Sequence, residues 1–342
     1  MKARDVAIVA AVLVVGGVAL VDTLRDAGAP EPERRSPDPP SSTEPERFPP
    51  LPLAGSLAFG DSRDCRLRVV GFVSGRERRL RRVGTGCELS ASPAGELVAH
   101  GGGDNQPLEF RLLRLDPAPR ELSGGVRIGP IAWSYRGLIA WCESATSGVE
   151  FLGASTRELT FCPRAYLGEE VARTRDRELL VRGRVVMTAA AHIEQVAGGI
   201  EGSVALVLEG GRIERRDAQG RRRTVRLPSD TLATTLVFTQ DTCAAAAVGS
   251  RTVAIVDLGC FRGRGQVTTV STDNCTNRRE SANSECARYP APRAFPGRAA
   301  AWSPDGEWLA VAEPTGIAFH RVVGGYRVIR WPAQAAALAW LG

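Results

Sequence analysis

The residues able to do chemistry in this 342-residue chain are few and far apart. Three histidines, His100, His192 and His320, form no metal-ligand spacing, and neither an H-E-x-x-H helix nor an EF-hand loop occurs. A G-x-S-x-G nucleophile elbow is missing. Gly60-Asp61-Ser62 has the G-D-S string of one esterase family, but Arg63-Asp64-Cys65 leads into a strand where a helix should carry the serine, so it reads as a polar turn. Gly263-Arg264-Gly265 lacks the third glycine and the helix of a dinucleotide site, and Gly101 to Asn105 reads as an inter-strand loop. Asp176, Asp241 and Asp305 fall at turns between short strands and are expected together on one rim. There each caps its own turn, or the three form a calcium or substrate site. None of these features calls for a cofactor.

Cysteine is the one reactive type in number: Cys65, Cys87, Cys142, Cys162, Cys243, Cys260, Cys275 and Cys286. No C-x-x-C pair occurs, so zinc and thioredoxin-type spacings are excluded and disulfides are the expected state. Sequence neighbours make one coupling, Cys65–Cys87, Cys142–Cys162, Cys243–Cys260 and Cys275–Cys286, out of roughly a hundred possible connectivities. Each such bridge closes a loop of hairpin size.

Disulfides need an oxidising compartment, and the amino terminus offers a route to one. Lys2 and Arg4 precede an unbroken apolar run from Val6 to Val21, closed by Asp22 and Arg25. The run is apolar on every face, which suits a membrane-spanning helix over residues 6–24, and the leading positive charge keeps residues 1–5 inside. Ala27-Gly28-Ala29 resembles a cleavage signal, but Pro30 follows directly. The segment therefore reads as an uncleaved single-pass anchor in the cell membrane. Residues 25–55, with Pro39-Pro40 and Pro49-Pro50, form a Pro-rich disordered linker, and residues 56–342 form an extracytoplasmic domain.

That domain contains no long amphipathic helix. Short apolar strands alternate with turns in Ala300 to Val311, Glu88 to Ala99 and Ile131 to Trp141, and weaker copies run over Tyr166 to Val181, Val196 to Leu208 and Leu236 to Val248. In the weaker copies Asp176, Gly202 and Asp241 mark the turn between the first two strands of a unit. The starts recur about every 30 to 40 residues, the length of one four-stranded blade. Ala335 to Leu341 reads as an inner strand, and Ser56 to Phe59, Cys65 to Val73 and Arg78 to Val83 as three strands lacking one. Joined, they make a blade from both ends. The expected fold is an all-β propeller of seven blades, or six if Arg164 to Gly202 makes a single blade, with a long polar insertion at 261–297. Trp133, Trp302 and Trp340 share the inner-strand position and read as wedges between blades.

Trp302-Ser303-Pro304-Asp305-Gly306, followed by Trp308-Leu309-Ala310, resembles the blade signature of TolB-like and related WD40-type propellers. In those, the inner strand ends in the S-P-D-G turn. The G-H and W-D dipeptides of typical WD40 repeats are absent from register. The resemblance implies protein–protein scaffolding in the cell envelope.

The net charge of +6 is carried almost wholly by arginine, Lys2 being the only lysine, a skew that fits the codon usage of a high-GC bacterium. The arginine runs at Arg76 to Arg82 and Arg221 to Arg223 therefore read as solvated hairpins rather than a nucleic-acid surface, with an anionic envelope polymer or lipid headgroup as the other partner. The functional expectation is a membrane-anchored binding module with an envelope protein partner and no catalysis. A metal-dependent hydrolase or lyase acting on a small molecule or glycan is the alternative. It needs His, Glu or Asp converging on the central channel. A sensor is the third reading, and residues 1–5 are too few to carry its signal.

Overall fold

The computed structural model describes residues 48–80, 87–92, 97–101, 108–115, 120–129, 131–227, 235–249, 252–258, 294–297, 299–323 and 327–342. The expected anchor at 6–24, most of the linker, and Cys260, Cys275 and Cys286 lie outside these residues. Among the described residues no helix is long and apolar enough to cross a membrane.

Among the described residues twenty-eight strands form seven four-stranded antiparallel sheets, the blades of a propeller. Blade 1 holds β1 (Ser56–Asp61), β2 (Leu67–Gly71) and β3 (Glu77–Arg79), with β28 (Ala335–Leu341) as its inner strand. Blade 2 is β4 (Glu88–Ala91), β5 (Leu97–Gly101), β6 (Leu108–Arg114) and β7 (Arg120–Arg127). Blade 3 is β8 (Ala132–Trp133), β9 (Ile139–Cys142), β10 (Gly148–Phe151) and β11 (Thr156–Leu159). Blade 4 is β12 (Ala165–Leu167), β13 (Glu170–Arg175), β14 (Glu178–Val181) and β15 (Arg184–Thr188). Blade 5 is β16 (Ile193–Gly198), β17 (Val204–Leu208), β18 (Arg212–Arg216) and β19 (Arg222–Arg226). Blade 6 is β20 (Thr235–Phe238), β21 (Ala244–Val248), β22 (Thr252–Asp257) and β23 (Ala294–Pro296). Blade 7 is β24 (Ala300–Trp302), β25 (Trp308–Glu313), β26 (Gly316–Arg321) and β27 (Arg327–Trp331).

The strand sequences follow from position in the blade. A second strand is covered on both faces by neighbouring blades, so it reads as an unbroken apolar run: β17 is Val-Ala-Leu-Val-Leu and β21 is four alanines and a valine, all buried. Outer strands meet water, and all but β23 carry arginine, whose charge discourages pairing with a foreign edge. Seven apolar clusters fill the seven blade-to-blade boundaries, including that between blades 7 and 1. In blade 1, β28 pairs antiparallel with β1, Leu341 opposite Ser56 and Ala337 opposite Gly60.

Three expectations change. The folded unit begins before Ser56: Phe48, Leu51 and Leu53 are buried, and the backbone amides of Phe48 and Leu51 donate to the carbonyls of Gly75 and Phe72. Prolines between them do not prevent an extended segment from burying alternate apolar side chains. Residues 294–296 of the expected insertion are β23, the outer strand of blade 6. Asp176 lies between β13 and β14, the second and third strands of its blade, so it sits on the rim opposite Asp241 and Asp305. The pairings Cys65–Cys87 and Cys142–Cys162 are found as expected, with sequence separations of 22 and 20.

Candidate functional site

We call the rim carrying the turns between first and second strands the upper rim, and the other the lower rim. The inner strands of all seven blades surround a central cavity of about 980 Å³. Its wall is mostly small or uncharged: Ser90 and Ala91 from β4, Ala132 from β8, Gln195 and Ala197 from β16, Ala300 from β24, Ala337 and Ala339 from β28. The described lining holds two carboxylates and no histidine. Both carboxylates are taken up by arginine: Arg127 donates to Glu88 at the lower mouth, and Arg136 pairs with Glu169 at the upper. Tyr166 also lines the cavity, and its hydroxyl donates to Glu150 Oε1 at 2.9 Å. Burial, then the charge of Glu150, pushes its phenol above the ordinary range and keeps it protonated. This wall offers contact surface and hydrogen bonds, with no free acid–base pair among the described residues.

The upper rim is built from one turn design used repeatedly. Ser303 Oγ accepts from the Trp308 amide at 2.9 Å and donates to Asp305, whose Oδ1 accepts from the Glu307 amide at 2.9 Å. In blade 6, Thr239 Oγ1 accepts from the Ala244 amide at 3.0 Å and donates to Asp241, whose Oδ1 accepts from the Cys243 amide at 2.9 Å. Blade 3 keeps only the hydroxyl, Ser134 Oγ accepting from the Leu138 amide at 2.8 Å. Gly306, Thr242 and Gly137 hold the left-handed position of the three turns, at φ of 70°, 55° and 78°. Asp305 and Asp241 are thus occupied in their own turns, and Pro304 lies at the cavity mouth. No group of three or more His, Cys, Asp or Glu able to hold a metal occurs among the described residues.

The inner-strand tryptophans act as wedges. Trp302 Nε1 donates to the Val237 carbonyl of the preceding blade at 3.0 Å, and Trp133 Nε1 donates to Ser90 Oγ of its own preceding blade. Trp340 Nε1 instead donates to the carbonyl of Ala54, 3.4 Å away, just before β1.

Cys65 bonds Cys87 and Cys142 bonds Cys162, with Cα–Cα distances of 4.8 and 4.7 Å. Cys65 lies in the β1–β2 turn and Cys87 just ahead of β4, so the bridge ties blade 1 to blade 2. Cys142 ends β9 and Cys162 precedes β12, tying blade 3 to the connection into blade 4. Both bridges are on the lower rim. Cys243 is disulfide-bonded as well.

Sequence reasoning missed the buried charges. Arg68 donates from Nε and Nη2 to both oxygens of Glu77, each at 2.7 Å, and from Nη1 to Asp61 at 3.1 Å, while its guanidinium lies 5.5 and 5.3 Å from the ring centres of Phe48 and Phe59. Asp61, from the G-D-S string, therefore belongs to a buried clamp and not to a nucleophile. His100 and His320 are fully enclosed, at 0% and 1% exposure. Burial pushes His100 down to about 4, weakly opposed by a hydrogen bond with the Cys65 backbone. It pushes His320 down to about 3, aided by the Arg330 guanidinium. Glu313 Oε1, 3.4 Å from His320 Nε2, draws the other way, but the same carboxylate is shared with Arg330, and burial dominates.

Among solved structures the chain is similar to apo AztD from Citrobacter koseri, with a TM-score of 0.51 and 14% identity over 83% of this chain and 96% of that one. It is also similar to a chain of the mitotic checkpoint complex, with a TM-score of 0.50 and 15% identity over 85% of this chain and 98% of that one. At these identities the likeness carries the propeller fold alone. No family model and no curated protein matches the sequence.

Proposed function

We propose that this protein is a membrane-tethered, extracytoplasmic propeller that binds a protein partner in the cell envelope and performs no catalysis. The observation that carries the binding reading is the central cavity, whose two described carboxylates are each paired with arginine and whose Tyr166 is held protonated. A hydrolase or lyase needs a group free to take or give a proton near neutral pH, and the described wall supplies none. A propeller often mediates protein contacts, and the S-P-D-G turn at Ser303–Gly306 supports a TolB-like or WD40-type kinship, in which scaffolding is the common role. Export is supported by the inter-blade disulfides, which persist in oxidising compartments, and by the apolar run behind Lys2 and Arg4.

Residues 261–293, a long polar segment between two strands of blade 6, are the proposed contact element. The test is proximity labelling from intact cells with the full chain and with a variant lacking residues 261–293, β23 being retained. Enrichment of one envelope protein by the full chain, lost in the deletion, supports the reading. Turnover of an envelope glycan or small ester by the purified chain, abolished on mutating Glu88 or Glu169, overturns the absence of catalysis.

A further inference from the structure

On β18 and β19 the register places arginine opposite arginine three times, Arg212 across from Arg226, Arg215 across from Arg223 and Arg216 across from Arg222. Like charges directly opposite one another on a sheet repel. Side chains alternate between faces, so Arg215 and Arg223 lie on one side of blade 5 and the other two pairs on the opposite side. On the face toward blade 4 the repulsion between Arg216 and Arg222 is answered within the chain. The buried Glu214 accepts from Arg216 at 2.9 Å through Oε1 and pairs with Arg222 at 2.8 Å through Oε2.

On the face toward blade 6 no carboxylate among the described residues plays that part. Arg215 is half-buried and donates to Thr242 Oγ1, the Asp241 carbonyl and Cys243 Sγ at 3.3, 3.3 and 3.6 Å, all uncharged acceptors. Arg223 has no ion pair among the described residues. The two line an upper-rim cleft of about 520 Å³ between blades 5 and 6, together with Arg221 and Arg222. Two acids share the cleft. Asp217 is bound to Arg221, and Asp241 is held in its own turn by Thr239 Oγ1 and the Cys243 amide. Of the four arginines, Arg221 is paired with Asp217 and Arg222 with Glu214, which leaves Arg215 and Arg223 without a carboxylate partner among the described residues.

We propose that this cleft is a binding site for a phosphate group, taking between Arg215 and Arg223 the place that Glu214 takes between Arg216 and Arg222. A phosphate suits it better than a lone carboxylate. Its tetrahedrally arranged oxygens can answer two guanidiniums and still accept further hydrogen bonds, whereas a carboxylate that bridges two arginines, as Glu214 does, has both oxygens in use. The cleft is wider than a free phosphate needs, and the shared chemistry belongs to a phospholipid headgroup or a phosphodiester polymer of the envelope.

The experiment uses the full chain in detergent for titration, and reconstituted or added to vesicles for the lipid arm. Inorganic phosphate, poly(glycerol phosphate) and vesicles with or without phosphatidylglycerol are titrated against wild type, Arg223→Gln and, as a control of equal charge change, Arg182→Gln. Arg182 pairs with Glu170 on exposed blade 4. The expected result is saturable binding of at least one phosphate probe, weakened about tenfold by Arg223→Gln and unchanged by Arg182→Gln. The probe bound tightest distinguishes headgroup from polymer. Without phosphate, Arg223→Gln raises the melting temperature, because it removes an unanswered repulsion, and phosphate raises that of wild type more than that of the variant. Equal weakening by both variants, or no saturable binding of any probe, overturns the site.

Discussion

Acid should destabilise this propeller through two histidines, and the window is fixed by their burial. His100 and His320 are neutral in the folded protein down to about pH 4 and pH 3. In the unfolded chain both titrate near the ordinary value of 6.5. A base whose folded value is depressed binds protons first in the unfolded state, so stability is full above 6.5 and falls as the pH drops toward the folded value. The slope is about 1.4 kcal/mol per pH unit for each ring, so moving from about pH 7.5 to about pH 5 costs roughly 2 kcal/mol per histidine and roughly 4 for both. Two arginine-paired carboxylates act outside this window. Glu170 and Asp217 are held low by Arg182 and Arg221, and their contribution is lost only below their ordinary values. Urea unfolding at both pH values, on wild type, His100→Leu, His320→Leu and the double variant, separates the contributions. Each single variant should lose about half of the pH dependence, and the double variant nearly all of it. An unchanged pH dependence in the double variant, or imidazole resonances that titrate above pH 6 in the folded protein, refutes the reasoning.

Breaking the buried clamp by Arg68→Met leaves Glu77 charged and enclosed, and should cost about 3–5 kcal/mol in chemical denaturation, with the Arg68→Met/Glu77→Leu double variant recovering most of it. Replacing Cys65 and Cys87 by serine should lower stability by about 3 kcal/mol, since the bridge spans 22 residues, and the Cys142/Cys162 pair, spanning 20, by a similar amount. Ser303→Ala removes the hydroxyl that accepts from the Trp308 amide and should cost about 1–3 kcal/mol, and Thr239→Ala should match it, both read from the shift in urea midpoint. Gly306→Ala, at φ 70°, should cost about 1 kcal/mol by the same measurement.

The fold was legible because blade strands are coded by short-range patterns. The hydroxyl–proline–aspartate–glycine turn at Ser303–Gly306 is a local device, and so are the runs in β17 and β21. What depended on partners distant in sequence was not. Phe48, Leu51 and Leu53 sit among prolines and look like linker until Phe72 and Trp331 are brought against them. Arg68 alternates with Leu67 and Val69 and reads as a solvent-facing residue, because nothing local announces that Glu77 will meet it in a closed interior. The error at Asp176 has the same origin. Two turns lie close together in blade 4, after Leu167 and after Arg175, and only the pairing of β12 with β13 tells which belongs to the upper rim. The arginine run at 221–223 was visible, but its meaning depends on the register that sets Arg223 against Arg215.

The placement of the disulfides follows from the uneven strength of the ring. The boundary between blades 7 and 1 is the largest apolar cluster, with Phe48 and Phe72 from one end of the folded unit packed against Phe319, Trp331 and Trp340 from the other. Ring-centre distances there run from 4.8 to 5.8 Å for the contacts of Phe72 and Phe319 with one another and with the two tryptophans. Aromatic burial on that scale holds a long-range closure without a covalent link. The boundary between blades 3 and 4 is the smallest described cluster, Ala132, Ala140, Leu159, Tyr166 and Val171, partly because β8 contributes only two residues. Cys142–Cys162 crosses that boundary, and Cys65–Cys87 crosses the modest one between blades 1 and 2. A ring fails at its weakest boundary, since opening one frees edge strands on both sides. A covalent tie at the smallest boundary cluster and an aromatic cluster at the closure are therefore two solutions to one problem, and the first of them works only where thiols are kept oxidised.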